Sequence, residues 1–121
     1  MSWEVVFDDD FAREFADFEQ EVKIELRAMV LLLKARGPEL GRPRADTLKG
    51  SGYPNMKELR FDAADGVWRV AFAFDPERKA VILVAGDKSG KGQKQFYKKL
   101  IRKADGRYAA HLEALLKKEK L

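Results

Sequence analysis

Phe11, Phe15, Phe18, Val22, Leu26, Met29 and Leu33 recur at spacings of three and four, the period of an amphipathic helix. The acidic run just before Phe11 supplies a helix N-cap, and Gly37-Pro38 stops the stripe. One continuous helix over residues 8–36 would be about 43 Å long at 1.5 Å per residue. A compact chain of this length has a radius of gyration of only about 14 Å. The pattern therefore predicts a break near Asp17–Gln20 and a helical hairpin. Ahead of it, WEVVF at residues 3–7 reads as a short strand.

After the hairpin the period changes. Residues 37–55 hold Pro38, Pro43, Pro54 and four glycines, a connecting segment with room for one short strand near Thr47–Lys49. Lys57–Asp62, Val67–Phe74 and Ala80–Gly86 then read as strands. Ala64-Asp65-Gly66 and Asp75-Pro76-Glu77-Arg78 have hairpin-turn compositions, so the three form an antiparallel meander. From about Gly92 a last helix carries Phe96, Leu100, Ala104, Tyr108, His111, Leu112 and Leu115 along one side. The predicted order is β-α-α-β-β-β-α, an α+β fold whose mainly antiparallel sheet packs against helices.

Strand alternation assigns faces. Trp68, Val70, Phe72 and Phe74 point to the core, and Arg69, Ala71 and Ala73 point the other way. Leu59 and Phe61 share the core face, which leaves Met56, Glu58 and Arg60 beside Arg69 on the face away from the helices. Two arginines and a carboxylate are thereby grouped. An ordinary Arg–Glu cross-strand pair explains such a group as well as a reactive site does.

Composition narrows the chemistry. The chain has 121 residues, 45% hydrophobic and 36% charged, enough for one domain over residues 1–121 with its own core. It has no cysteine and a single histidine, which excludes disulfides, thiol nucleophiles, Cys-zinc sites and a His–His metal site. No metal and no cofactor are expected. MSWEVVFDDD lacks the basic and apolar regions of a signal peptide, and the longest apolar run, Ala28 to Leu33, is too short to span a bilayer. The expected setting is the cytoplasm, with no membrane partner.

The net charge of +4 hides an asymmetry. Residues 1–25 hold nine acidic and two basic groups, whereas residues 87–121 hold eleven basic and four acidic ones. A positive region this dense favours a polyanion such as nucleic acid, and it also suits the solvated outside of a terminal helix. GDKSGKGQK fails as a phosphate-binding P-loop, because Lys91 stands where the second glycine is required. It remains a basic loop, with Lys88, Lys91 and Lys94 able to approach phosphates. Tyr97, in KQFYKK, can stack on a base or donate to a phosphate, or simply edge the helix. His111 reads as a structural or partner-facing histidine, and Trp3 and Trp68 as core residues.

The ordered set LGRP (40–43), DTLKGS (46–51), YPNMKELRF (53–61), WRVAFAFDPER (68–78), AGDKSG (85–90), FYKKLI (96–101) and AD–RY–HL (104–112) resembles the HigB-like, phage-related branch of the RelE/ParE toxin superfamily. The likeness covers most of the chain from residue 30 onward. It implies a type II toxin neutralised by a cognate antitoxin that often carries a helix-turn-helix domain. For the RelE branch it further implies entry into the ribosome and cleavage of bound mRNA without a metal. The 2′-hydroxyl attacks the adjacent phosphate, leaving a 2′,3′-cyclic phosphate and a 5′-hydroxyl. The same scaffold also serves ParE-like inhibitors of DNA gyrase, and a non-catalytic phage-derived binding protein is a third reading.

The resemblance assigns roles by position. Arg69 matches an arginine that stabilises the phosphate, and Arg60 is a second cation on the same face. Tyr97 matches an aromatic near the start of the final helix, and Lys88 a basic position after the last strand. RelE carries two lysines on the strand where this chain has Met56 and Glu58, so Glu58 becomes the candidate general base. Glu58, Arg60, Arg69 and Tyr97 are the expected catalytic set, with Lys49, Lys57, Lys88, Lys91 and Lys94 on RNA or ribosome.

Overall fold

Asp8 starts the helical hairpin. Its carboxylate accepts a hydrogen bond from Phe11 N at 3.0 Å, and Asp9 and Asp10 occupy the first turn, where the helix dipole favours negative charge. The computed structural model describes residues 2–119. In it α1 (Asp9–Ala16) and α2 (Gln20–Arg36) are separated at residues 17–19, where the length argument requires a break. At Gly37 the backbone takes φ +56° and turns into a short 3₁₀ segment. A Cβ there would collide with the Trp3 indole, so glycine ends α2 and admits the first strand beside it.

Five strands form one sheet in the order β1-β5-β4-β3-β2. They are β1 (Glu4–Phe7), β2 (Ala45–Thr47), β3 (Met56–Ala63), β4 (Gly66–Phe74) and β5 (Lys79–Asp87). β1 runs parallel to β5, and every other neighbouring pair is antiparallel. The short strand lies at Ala45–Thr47, opposite Leu59–Lys57, rather than near Thr47–Lys49. Three residues between a proline and a glycine carry no period, so only pairing with β3 locates them.

Helices cover both faces. Phe11, Leu26, Met29 and Leu33 of the hairpin bury Leu59, Val70, Phe72 and Ile82. The face bearing Arg69, expected to turn away from the helices, is covered as well: α3 (Gln93–Glu119) lies across it. Phe96, Leu100, Ala104 and Tyr108 pack there on Met56, Ala71, Ala73 and Leu83. Ala71 and Ala73 are the reason, because two small residues leave space for a helix that larger ones would fill. A register shift between Ala71 and Phe72 makes Leu83 an extra residue of β5, and Leu83 and Val84 both join the α3 core.

Trp3 and Trp68, expected in the core, sit half-buried at its margins. Trp68 stacks on Phe61, and the Arg78 guanidinium lies 4.8 Å from the Trp3 ring centre. His111 plays the structural part expected of it, with Nε2 2.8 Å from Oδ2 of the buried Asp75.

The opposed charges of the two ends meet at Arg107. From α3 it donates to both Glu14 oxygens, at 2.9 and 2.6 Å, and to the Leu83 carbonyl at 2.7 Å. Its Nε is also 3.7 Å from Asp8. The hydrogen bond from Arg107 is the main reason the Glu14 carboxyl is held below its usual range, against the opposing effect of burial. Part of the acidic N-terminal run is thus used inside the molecule.

Candidate active site

Alternation along β3 sends Glu58 and Arg60 to the α3 side of the sheet, while Arg69 stands directly across from Arg60 on β4. α3 crosses this face near its own N-terminus, which brings Tyr97 over β3. The phenol donates to Glu58 Oε1 at 2.8 Å, and Arg69 Nε lies 3.9 Å from the same oxygen. Glu58, Arg60, Arg69 and Tyr97, spread over forty positions of sequence, are one cluster.

Within the cluster, position separates the roles. Glu58 is 6% exposed and Arg69 8%, yet Glu58, Arg60 and Tyr97 line an open groove of about 780 Å³ and Arg69 does not. Arg69 lies behind Glu58, with Nη1 donating to the Trp68 carbonyl at 2.9 Å. The Nε atoms of Arg60 and Arg69 are buried without a hydrogen-bond partner among the described residues, an uncommon condition for a guanidinium. Glu58 uses Oε1 for Tyr97 and makes no other hydrogen bond among them, so Oε2 is free. Burial raises the Tyr97 phenol above its ordinary value, and the hydrogen bond and charge of Glu58 add to the rise, with Arg69 pulling the other way. Tyr97 is therefore a protonated donor at neutral pH.

Of the expected RNA-binding lysines, Lys49 and Lys94 line this groove. Lys57, Lys88 and Lys91 do not. Lys57 falls on the Leu59 side of β3, because neighbouring strand residues face opposite ways. Lys88 follows β5 outside the groove, its backbone N–H bonded to the Val67 carbonyl. Lys91 lines a different groove on the far side of α3, and its Nζ donates to the Asp87 carbonyl at 2.9 Å. Sequence reasoning missed Lys98 and Arg42, which complete the basic wall. Lys98 was findable, since it lies one turn beyond Lys94 on the same helix face. Arg42 was not, because only the path of the β2 loop brings it near. Asp46, 3.5 Å from Arg42, is the one other carboxylate lining the groove among the described residues.

The molecule is thus a five-stranded α+β domain with a basic groove whose floor holds a carboxylate, a phenol and an arginine. Residues 13–109 match the family described as phage-derived protein Gp49-like, and the chain belongs to that family. Two Mycobacterium tuberculosis proteins named as HigB toxins are similar to it. HigB2 is 44% identical over 86 residues, which is 70% of this chain and 42% of HigB2. HigB3 is 40% identical over 95 residues, 78% of this chain and 81% of HigB3. The chain therefore spans less than half the length of one of these relatives and most of the other. A solved structure of an Escherichia coli RelE toxin mutant in the free state shares the fold, with a TM-score of 0.57 at 15% identity over 85% of this chain and 97% of that one. Together these place the chain in the phage-derived Gp49-like family beside the HigB toxins, on a fold that it shares with RelE.

Proposed function

We propose that this chain is the toxin of a type II toxin–antitoxin pair and cuts mRNA on the ribosome. The observation that carries the reading is Glu58: a carboxylate on the floor of a groove walled by Arg42, Lys49, Arg60, Lys94 and Lys98. A basic wall attracts the RNA backbone, and Glu58, unlike the more exposed Asp46 beside Arg42, is a nearly buried carboxylate with one oxygen left free for chemistry. Glu58 Oε2 takes the proton of a ribose 2′-hydroxyl as that oxygen attacks the adjacent phosphorus. Arg60, with donors to spare, meets the charge that builds on the phosphorane oxygens. Tyr97 holds Glu58 in orientation. As Glu58 takes the 2′-hydroxyl proton, the phenol is released to protonate the leaving 5′ oxygen, and Glu58 then returns a proton to the phenolate across their hydrogen bond. Arg69 balances the charge of Glu58 from behind, a positioning role in place of the direct phosphate contact expected from sequence.

Five cations around a groove also suit a chain that only binds, and a gyrase inhibitor would work on the same scaffold without Glu58. Induced expression followed by mapping of mRNA 5′ ends separates these. In-frame cuts in translated messages, bearing 5′-hydroxyls, are expected. DNA breaks in a parallel gyrase assay, with intact messages, would overturn the proposal. A cognate antitoxin is the partner this reading requires, and toxicity is expected to vanish on its co-expression. Among the described residues no helix is long and apolar enough to cross a membrane.

A further inference from the structure

A second groove, of about 980 Å³, lies on the opposite flank of α3, against the outer edge of β5. β1 covers only the first half of that edge. Its last pair is Phe7 with Ile82, after which Asp8 N donates to the Ile82 carbonyl and the chain leaves for α1. Arg107 takes the next carbonyl, that of Leu83. From Val84 to Asp87 the strand is paired with β4 on one side and, among the described residues, with no strand on the other. Apart from the Asp87 carbonyl, which accepts from Lys91 Nζ, this open edge offers its outward backbone donors and acceptors to any chain that can lie alongside.

The floor beneath this edge is apolar. Gly86 lets the Phe96 ring approach so closely that an added Cβ would stand 2.9 Å from it, and Leu100 lies beside them. Along the rim stand Lys91, Lys99, Arg102 and Lys103, and among the described residues no acidic one lines the groove. We infer that this groove receives an extended, acidic segment of a partner protein, which adds a strand to β5 over Val84–Asp87. Its apolar side chains, on alternate residues, settle over Phe96 and Leu100, and its carboxylates meet the four cations. Four paired residues span about 13 Å, so backbone bonds set direction and register while the charges select the partner. RNA fits less well, because a sugar-phosphate backbone lacks the regular N–H and C=O repeat that matches a strand edge.

The inference stands apart from the nuclease reading, because binding is scored without ribosomes or cleavage. The probe is a labelled heptapeptide of alternating glutamate and valine, titrated into the full chain. Saturable binding is expected, with amide-exchange protection confined to Val84–Asp87 and their surroundings. The same peptide N-methylated on alternate backbone nitrogens is expected not to bind. Lys99→Glu combined with Lys103→Glu, both exposed positions, is expected to weaken binding about tenfold with an unchanged circular dichroism spectrum. The inference fails if the N-methylated peptide binds equally well, if protection appears elsewhere, if no binding is detected, or if an oligouridylate protects these amides where the peptide does not.

Discussion

Glu58→Gln tests the proposed chemistry with little change of shape. The amide keeps an oxygen for the Tyr97 hydroxyl, so the 2.8 Å bond survives, whereas the 3.9 Å contact to Arg69 loses its charge. Arg69 is nearly buried but still donates to the Trp68 carbonyl, and the stability cost is about 2 kcal/mol. For a chain of this size that lowers Tm by about 8 °C. Loss of a general base costs about 10²–10⁴ in rate, or roughly 3–5 kcal/mol of barrier. Chemistry should therefore suffer more than folding does. Single-turnover cleavage of mRNA on programmed ribosomes at 25 °C, with circular dichroism to confirm the folded fraction, separates the two effects. A fully folded Glu58→Gln protein that cleaves within about threefold of the parent would remove Glu58 as the base, since the expected loss is at least about 10².

Burial raises both Tyr97 and Tyr108, so alkaline spectrophotometric titration should show two phenols ionising above the ordinary value of 10.0; Tyr97→Phe should remove one of them and slow cleavage about tenfold or more. Unchanged late titration in that variant would contradict the site geometry. Glu14 has a folded pKa below its unfolded value of 4.5, so its pair with Arg107 stabilises the fold above that pH and stops doing so as pH falls through the lowered value. Glu14→Gln should then cost about 1 kcal/mol at pH 7, allowing for partial exposure, and nothing in strong acid. A pH-independent difference in denaturant midpoint would refute the linkage. Gly37→Ala should cost at least about 2 kcal/mol, from φ +56° and displacement of Trp3, with a red-shifted tryptophan emission; an unaltered Tm would contradict it.

Much of this was legible in the sequence because it depends on period. Apolar spacing located both helical stripes, chain length required the hairpin break, and alternation grouped Glu58, Arg60 and Arg69. Tyr97 was singled out by resemblance and by its basic setting, but its hydrogen bond to Glu58 joins residues 39 positions apart, beyond the reach of any local pattern.

Periodicity acts between near neighbours, and it determined the elements and the face each side chain takes. Which helix covers which face is a question of long-range packing, and only the tertiary structure decided it. Small side chains at Ala71 and Ala73 admit α3 onto the sheet, and that one placement has three results. It sets Tyr97 over Glu58, puts Arg69 behind the groove instead of in it, and divides the basic C-terminal residues between two flanks. A positive charge count could not make that division, because charge adds along a chain regardless of direction, while function depends on where each cation points.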